Sequence, residues 1–307
     1  MAVRRAHLYL AGSGGSQLRD EVHTPPGSAV RGDNGRMSTE FQTESPPPRL
    51  LAIETSTDRM SVALGEGRPG AAPMSHEGPG AAQSSLHLLP TVERLLGQAG
   101  WALGGLDAIM FGRGPGSFTG LRTACAVTQG LAYGARAQGH ATGLPVLAVD
   151  TLLAVAEEAR WLNEEAGREP PPAVVALLDA RMGEVYVAVY AVRQGRVDRQ
   201  ALLAPSLCAP SALADHLRLV DGLDGNSALW AGNVFDTYAA ELDGLPLRRQ
   251  VAWPTATALL RLAPDMLRAG LAVSAQEAMP LYVRDKVAQT TDERERFRLA
   301  QQAGMVA

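Results

Sequence analysis

The chain has 307 residues, with 46% hydrophobic and 20% charged side chains and a formal net charge of −4. That size gives core enough for one large or two modest domains, and the acidic balance argues against a dedicated nucleic-acid surface, which needs clustered Lys and Arg. Cys125 and Cys208 form no motif, no apolar run reaches the roughly 18 residues of a membrane span, and Arg4-Arg5 precede no apolar signal core, so a reduced, cytoplasmic protein is expected.

Lys286 is the only lysine, so arginine carries nearly all the positive charge. Residues 1–48 are dominated by Gly, Ser, Pro and Arg, lack periodicity and close on Pro46-Pro47-Pro48. They are expected to be a disordered extension, with Met37 as an alternative start.

Residues 50–54 read as a short buried strand, Thr55-Ser56-Thr57-Asp58-Arg59 as a polar turn, and residues 60–64 as a second strand. The Gly/Pro-rich stretch 65–82 is expected to be a loop. A helix over 84–99, capped by Ser84 or Ser85, places Leu88, Leu89, Val92, Leu95, Leu96 and Ala99 at amphipathic spacing and stops at Gly97 and Gly100. Within it Pro90 fits only near the first turn, because it lacks an N–H.

Residues 106–111 read as another buried strand. The string Gly112-Arg113-Gly114-Pro115-Gly116-Ser117-Phe118-Thr119-Gly120-Leu121-Arg122 follows and runs into a helix over 117–137. A strand, a glycine-rich turn and a helix can aim backbone N–H groups at an anion. The same residues also spell a tight turn that only glycine can make. Along the helix Ala126, Gly130 and Gly134 recur every four residues, a small stripe that lets another helix or a sheet come close. A strand over 145–149 and a helix over 151–160 follow, and this alternation calls for a parallel or mixed sheet.

A second unit begins near Pro170, with a strand over 174–179, the turn Ala180-Arg181-Met182-Gly183 and a partner strand over 184–190. It repeats the opening pattern, so Glu54 and Asp179 hold equivalent places at two strand ends. The repeat suggests a duplicated α/β fold, with a first lobe over 49–152, a second over 153–270, a cleft faced by both acids, and a C-terminal segment over 271–307 with a flexible tail.

The hairpin, the glycine string and Asp179-Ala180-Arg181-Met182-Gly183-Glu184-Val185-Tyr186 together closely resemble the TsaB (YeaZ) family over roughly residues 49–290. Residues 51–57 look like its opening strand and phosphate-type turn, and Pro280-Leu281-Tyr282-Val283-Arg284 like its C-terminal signature. The resemblance implies two α/β lobes of the actin/Hsp70/sugar-kinase fold with a cleft between them. It also implies a non-catalytic subunit of the machinery that forms N6-threonylcarbamoyladenosine at position 37 of tRNAs reading A-starting codons. There TsaC-type enzymes make threonylcarbamoyl-AMP, TsaD transfers the group and forms a heterodimer with TsaB, and the ATPase TsaE joins them. The chain departs from the family at Glu54, where the motif usually has Asp.

Other chemistries fit the residues less well. His76 and His87 are eleven residues apart and His140 and His216 stand alone, so no pair has the i, i+4 spacing of a helical metal site. Ser117 heads a helix without a Gly-x-Ser-x-Gly elbow or a tied histidine, which leaves N-capping rather than peptidase chemistry as its role. A nucleotide-binding or ATP-hydrolysing enzyme is the main alternative, with Glu54, Thr55, Ser56, Thr57, Asp179 and Arg181 lining a vestigial cleft. No cofactor is otherwise implied, although weak or shared nucleotide binding fits that cleft. The partner surface is expected on the two helices, at Leu88, Leu89, Val92, Leu95, Ala126, Gly130 and Gly134, a face that could pair two copies when TsaD is absent. tRNA is expected to be met only through the complex.

Overall fold

The computed structural model describes residues 46–67, 72–243 and 248–284. The expectations for residues 1–45 and 285–307 lie outside the described residues. The first sheet grows from strand β1 (Arg49–Glu54), which pairs antiparallel with β2 (Arg59–Glu66) and parallel with β4 (Ala108–Gly114). β3 (Met74–Pro79) lies beside β2 and β5 (Val146–Asp150) beside β4, giving the order β3-β2-β1-β4-β5.

The second sheet has the same connectivity. β6 (Ala173–Arg181) pairs antiparallel with β7 (Glu184–Arg193), which pairs with β8 (Arg196–Cys208). β9 (Leu229–Gly232) and β10 (Arg248–Val251) continue in parallel on the other side of β6. Two five-stranded sheets of one topology make a duplicated α/β fold, as the repeated hairpins lead one to expect.

Alternation along the strands sorts the core into layers. Leu51 and Ile53 of β1 pack with Leu88, Val92 and Leu95 of α1 (Ser84–Ala99) and Ala124 of α2 (Phe118–Gly134). Leu50 and Ala52 face the other way, toward α3 (Thr151–Glu165) and α5 (Ala256–Arg268). α3 covers Val174, Ala176 and Leu178 of β6, and because α3 and α5 pack on each other one core joins both sheets. Val175 and Leu177 face a further core with Leu213 and Leu217 of α4 (Leu213–Leu217), Trp230 and Phe235. The layers therefore run α1/α2, first sheet, α3/α5, second sheet, α4 with its turns.

The central layer also holds charge. Buried Glu157 meets Arg160 Nη2 at 2.8 Å and Arg261 Nε at 3.0 Å, and Arg261 also pairs with buried Glu158. Thr255 caps α5 by accepting the Ala258 N–H at 3.1 Å and donates to Glu158 at 2.8 Å, so the acids are compensated rather than stranded.

Two local expectations differ from the structure. The loop expected over 65–82 contains β3, an edge strand whose register is templated by β2 although its residues, Met-Ser-His-Glu-Gly-Pro, carry no strand pattern. Pro90 lies in the second turn of α1, and the residue whose carbonyl loses its partner, Leu86, sits on the exposed side of the helix.

Candidate functional site

The glycine string packs against the first hairpin turn of its own chain. A Cβ on Gly112 would lie 1.7 Å from Glu54 Oε2, one on Gly116 2.4 Å from the Ser56 carbonyl oxygen, and one on Gly120 1.8 Å from that of Thr55. The Ser117 N–H donates to the Ser56 carbonyl at 2.6 Å, the Gly114 N–H to Thr151 Oγ1 at 3.1 Å, and the Thr55 hydroxyl to the Gly120 carbonyl at 2.7 Å. Ser117 is the N-cap of α2, accepting the Gly120 N–H at 3.5 Å. Thr119 accepts the Thr123 hydroxyl at 2.9 Å through its carbonyl, within the first turn of α2. The close backbone approach is thus made to a neighbouring turn. It holds β1, β4 and α2 together at one end of the sheet.

Glu54 is withdrawn from the cleft it was expected to face. It is 1% exposed at the end of β1, with Oε1 accepting the Ser56 N–H at 2.6 Å and Oε2 without a hydrogen-bond partner. Burial pushes its carboxyl up to about 7, against the lowering effect of the hydrogen bonds from Ser56 and Thr55. Thr55 is likewise fully buried, so of the first turn only Ser56, Thr57 and Asp58 line the cleft.

Asp179 does reach the cleft, but its oxygens are occupied. Oδ1 accepts the Arg181 N–H at 2.8 Å and the Tyr238 hydroxyl at 2.9 Å, while Oδ2 pairs with Arg181 Nη1 at 3.0 Å. Burial first, then the bond to Asp179, pushes Tyr238 up to about 12. Arg181, Met182 and Gly183 all adopt positive φ, and Asp179 stabilises that turn. The cleft holds about 410 Å³ between Ser56, Ser117 and Thr119 on one side and Asp179, Arg181 and Asn233 on the other.

A segment that sequence reasoning marked only as a signature closes one side of this cleft. The Leu281 N–H donates to the Arg113 carbonyl at 2.7 Å, and the Tyr282 ring stacks on Phe118 with centroids 4.9 Å apart. Arg122 Nε donates to the Tyr282 hydroxyl at 3.2 Å while its guanidinium covers Phe118 at 3.6 Å. On the other lobe Arg284 Nη2 meets Glu184 Oε2 at 2.5 Å. Upstream, the Ala278 carbonyl accepts from Cys125 Sγ and Gln129 Nε2, both on α2. Arg113 is held by Asp150 at 2.6 Å, and the Gly114–Pro115 peptide is cis.

The expected partner residues divide between core and surface. Leu88, Val92 and Leu95 are buried within the chain's own core, which removes them from any free face. Leu89 is 44% exposed, and Leu86, which the sequence pattern did not single out, is 70% exposed. On α2, Ala126, Gly130 and Gly134 are exposed, with nothing within 4 Å of a Cβ at either glycine, and Tyr133 beside them is 58% exposed.

The TsaD family, tRNA N6-adenosine threonylcarbamoyltransferase, matches residues 80–218, from α1 to α4 across both lobes. The tRNA threonylcarbamoyladenosine biosynthesis protein TsaB of Haemophilus influenzae is 31% identical over 248 residues, covering 78% of this chain and 94% of that protein. The chain belongs to the TsaB family. TsaB of Escherichia coli is 33% identical over 252 residues, covering 78% of this chain and 96% of its own. The solved structure of YeaZ from Pseudomonas aeruginosa superposes with a TM-score of 0.61 at 35% identity, over 76% of this chain and 99% of that one. A second structure from the same organism, of an uncharacterized protein with similarity to peptidase YeaZ, gives 0.62 at 34% identity over 77% and 100%. Among the described residues, no helix of this TsaB-family chain is long and apolar enough to cross a membrane.

Proposed function

We propose that this chain acts in the formation of N6-threonylcarbamoyladenosine at position 37 of tRNAs reading A-starting codons. Its role is that of a non-catalytic subunit that heterodimerises with a TsaD-type transferase, with a TsaE-type ATPase joining the pair. The observation that carries this reading is the outer helical layer, where Leu86 and Leu89 of α1 and Ala126, Gly130, Tyr133 and Gly134 of α2 stay exposed. Apolar and small residues side by side on two helices suit close helix–helix packing across an interface. The cleft supports the non-catalytic half, because Glu54 is sealed off and Asp179 is committed to its own turn. Without the transferase, the same face pairs two copies of the chain.

Co-purification with a TsaD-type transferase tests the reading. Leu89→Glu and Gly130→Leu are expected to abolish capture while the melting temperature stays near that of the parent. Glu54→Gln and Asp179→Asn are expected to leave capture intact. ATP turnover by the purified chain, lost on Asp179→Asn, would instead favour the nucleotide-hydrolysing alternative.

A further inference from the structure

The tip of the β7–β8 hairpin carries an arrangement that the partner role does not use. Gln194 and Gly195 form a two-residue turn with φ of 52° and 72°, the positive pair that suits a tight hairpin. The turn sets Arg193 and Arg196 directly opposite one another across the ladder. Like charges in that position are destabilising. Beyond them β8 bulges. Between the pairs Val192↔Val197 and Tyr190↔Ala201 it uses four residue steps against two on β7, and Arg199 lies in that bulge. The C-terminal end of α5 brings Arg268 to the same place from far along the chain.

The four arginines surround a concavity of about 490 Å³ that also contains Asp198 and Asp265. Arg193 Nε lies a loose 3.6 Å from Asp198, Arg196 Nη1 lies 2.7 Å from Asp265, and Arg268 pairs with that same Asp265 carboxylate. Two carboxylates therefore face four guanidinium groups. The local balance is positive on a chain whose net charge is −4. Arg193, Arg196, Arg199 and Arg268 are all exposed. β7 runs from Glu184, at the cleft, to Arg193, so its ten residues place the cluster about 30 Å from the cleft mouth.

We propose that this arginine concavity binds the phosphodiester backbone of RNA. The guanidinium fork matches phosphate oxygens two at a time, and each arginine here keeps N–H donors beyond those engaged by the two aspartates. The choice of RNA over an acidic protein segment rests on the tRNA-modification reading above. The surface adds a weak contact, distant from the outer helical layer, that supplements what a transferase partner supplies.

The test is fluorescence anisotropy of a labelled, unmodified tRNA transcript against the full chain between 50 and 200 mM salt. Arg193→Glu with Arg199→Glu is expected to weaken binding at least tenfold at the low-salt end. It is also expected to flatten the dependence of log K on log salt by roughly one for each phosphate no longer neutralised. Arg94→Glu with Arg218→Glu makes the same charge change elsewhere and is expected to leave the slope unchanged. Arg193→Gln with Arg199→Gln keeps the result interpretable if the double glutamate variant fails to fold. Equal loss in both Arg→Glu pairs, an unchanged slope in the patch variants, or displacement of the transcript by a poly-glutamate peptide at equal concentration would overturn the proposal. Transferase capture is read in parallel. Patch-specific RNA loss without any capture would leave this inference standing and the partner reading fallen.

Discussion

Gly120 and Gly130 lie on one helix under opposite constraints. A Cβ at Gly120 would sit 1.8 Å from the Thr55 carbonyl oxygen, so Gly120→Ala must push α2 off the first hairpin turn and is expected to cost about 3 kcal/mol or more. At Gly130 nothing lies within 4 Å, and Gly130→Ala removes the entropic penalty of a glycine inside a helix, for a gain of up to about 1 kcal/mol. Urea unfolding of the two variants checks both signs. Glu54 gives a pH signature. Its folded-state value of about 7 stands above the ordinary 4.5, so the folded chain holds the proton more tightly. The associated stability is complete below about 4.5 and is lost as pH rises through about 7. Glu54→Gln is expected to match the parent near pH 4 and to exceed it by a few kcal/mol at pH 8, as urea midpoints at the two pH values would show.

At the scale of elements, the segment from Ala278 to Arg284 behaves as a strap over the cleft. Tyr282→Ala removes its ring stacking on Phe118 and its hydrogen bond from Arg122. The variant is expected to speed tryptic cleavage after Arg284 severalfold, measured by mass spectrometry of timed digests. How far such elements were legible depends on where their determinants lie. The continuous apolar run of β1 and the paired hairpins could be read directly, because burial on both faces leaves Leu50, Leu51, Ala52 and Ile53 apolar. β3 could not, since an edge strand borrows its order from β2 and needs no side-chain pattern of its own. The stripe of α1 was legible as a stripe, but periodicity alone could not assign Leu88, Val92 and Leu95 to the chain's own core and Leu86 and Leu89 to the surface. The repeat suggests equivalent places for Glu54 and Asp179 at two strand ends, but Glu54 lies on the β1 face of Leu50 and Ala52 and Asp179 on the β6 face of Val175 and Leu177. What further separates them is tertiary: Gly112 gives Glu54 a pocket to retreat into, whereas Tyr238 and Arg181 hold Asp179 at the surface of the cleft. The arginine concavity was hidden for a similar reason, because Arg268 joins Arg193, Arg196 and Arg199 only through the packing of α5.

For the whole molecule the decisive feature is the shared layer of α3 and α5. Because Leu50 and Ala52 of one sheet bury toward α5, Val174 and Ala176 of the other bury toward α3, and the two helices pack together in one core, neither lobe owns a complete core. Unfolding is therefore expected as a single transition, with far-UV circular dichroism and tryptophan fluorescence coinciding and calorimetric and van't Hoff enthalpies equal. Leu259→Ala, in the first turn of α5, is expected to lower stability by about 2–5 kcal/mol and to shift both probes together. Two separated steps would show that the lobes melt independently.

The strap also sets a length. Leu281 is fastened to the first lobe through Arg113 and Arg284 to the second through Glu184, with only Tyr282 and Val283 between. Three residue steps of fully extended chain reach about 10–11 Å. While both fastenings hold, the lobes can hinge apart no farther than that tether allows, so any guest too bulky for so narrow an opening must first unfasten Arg284.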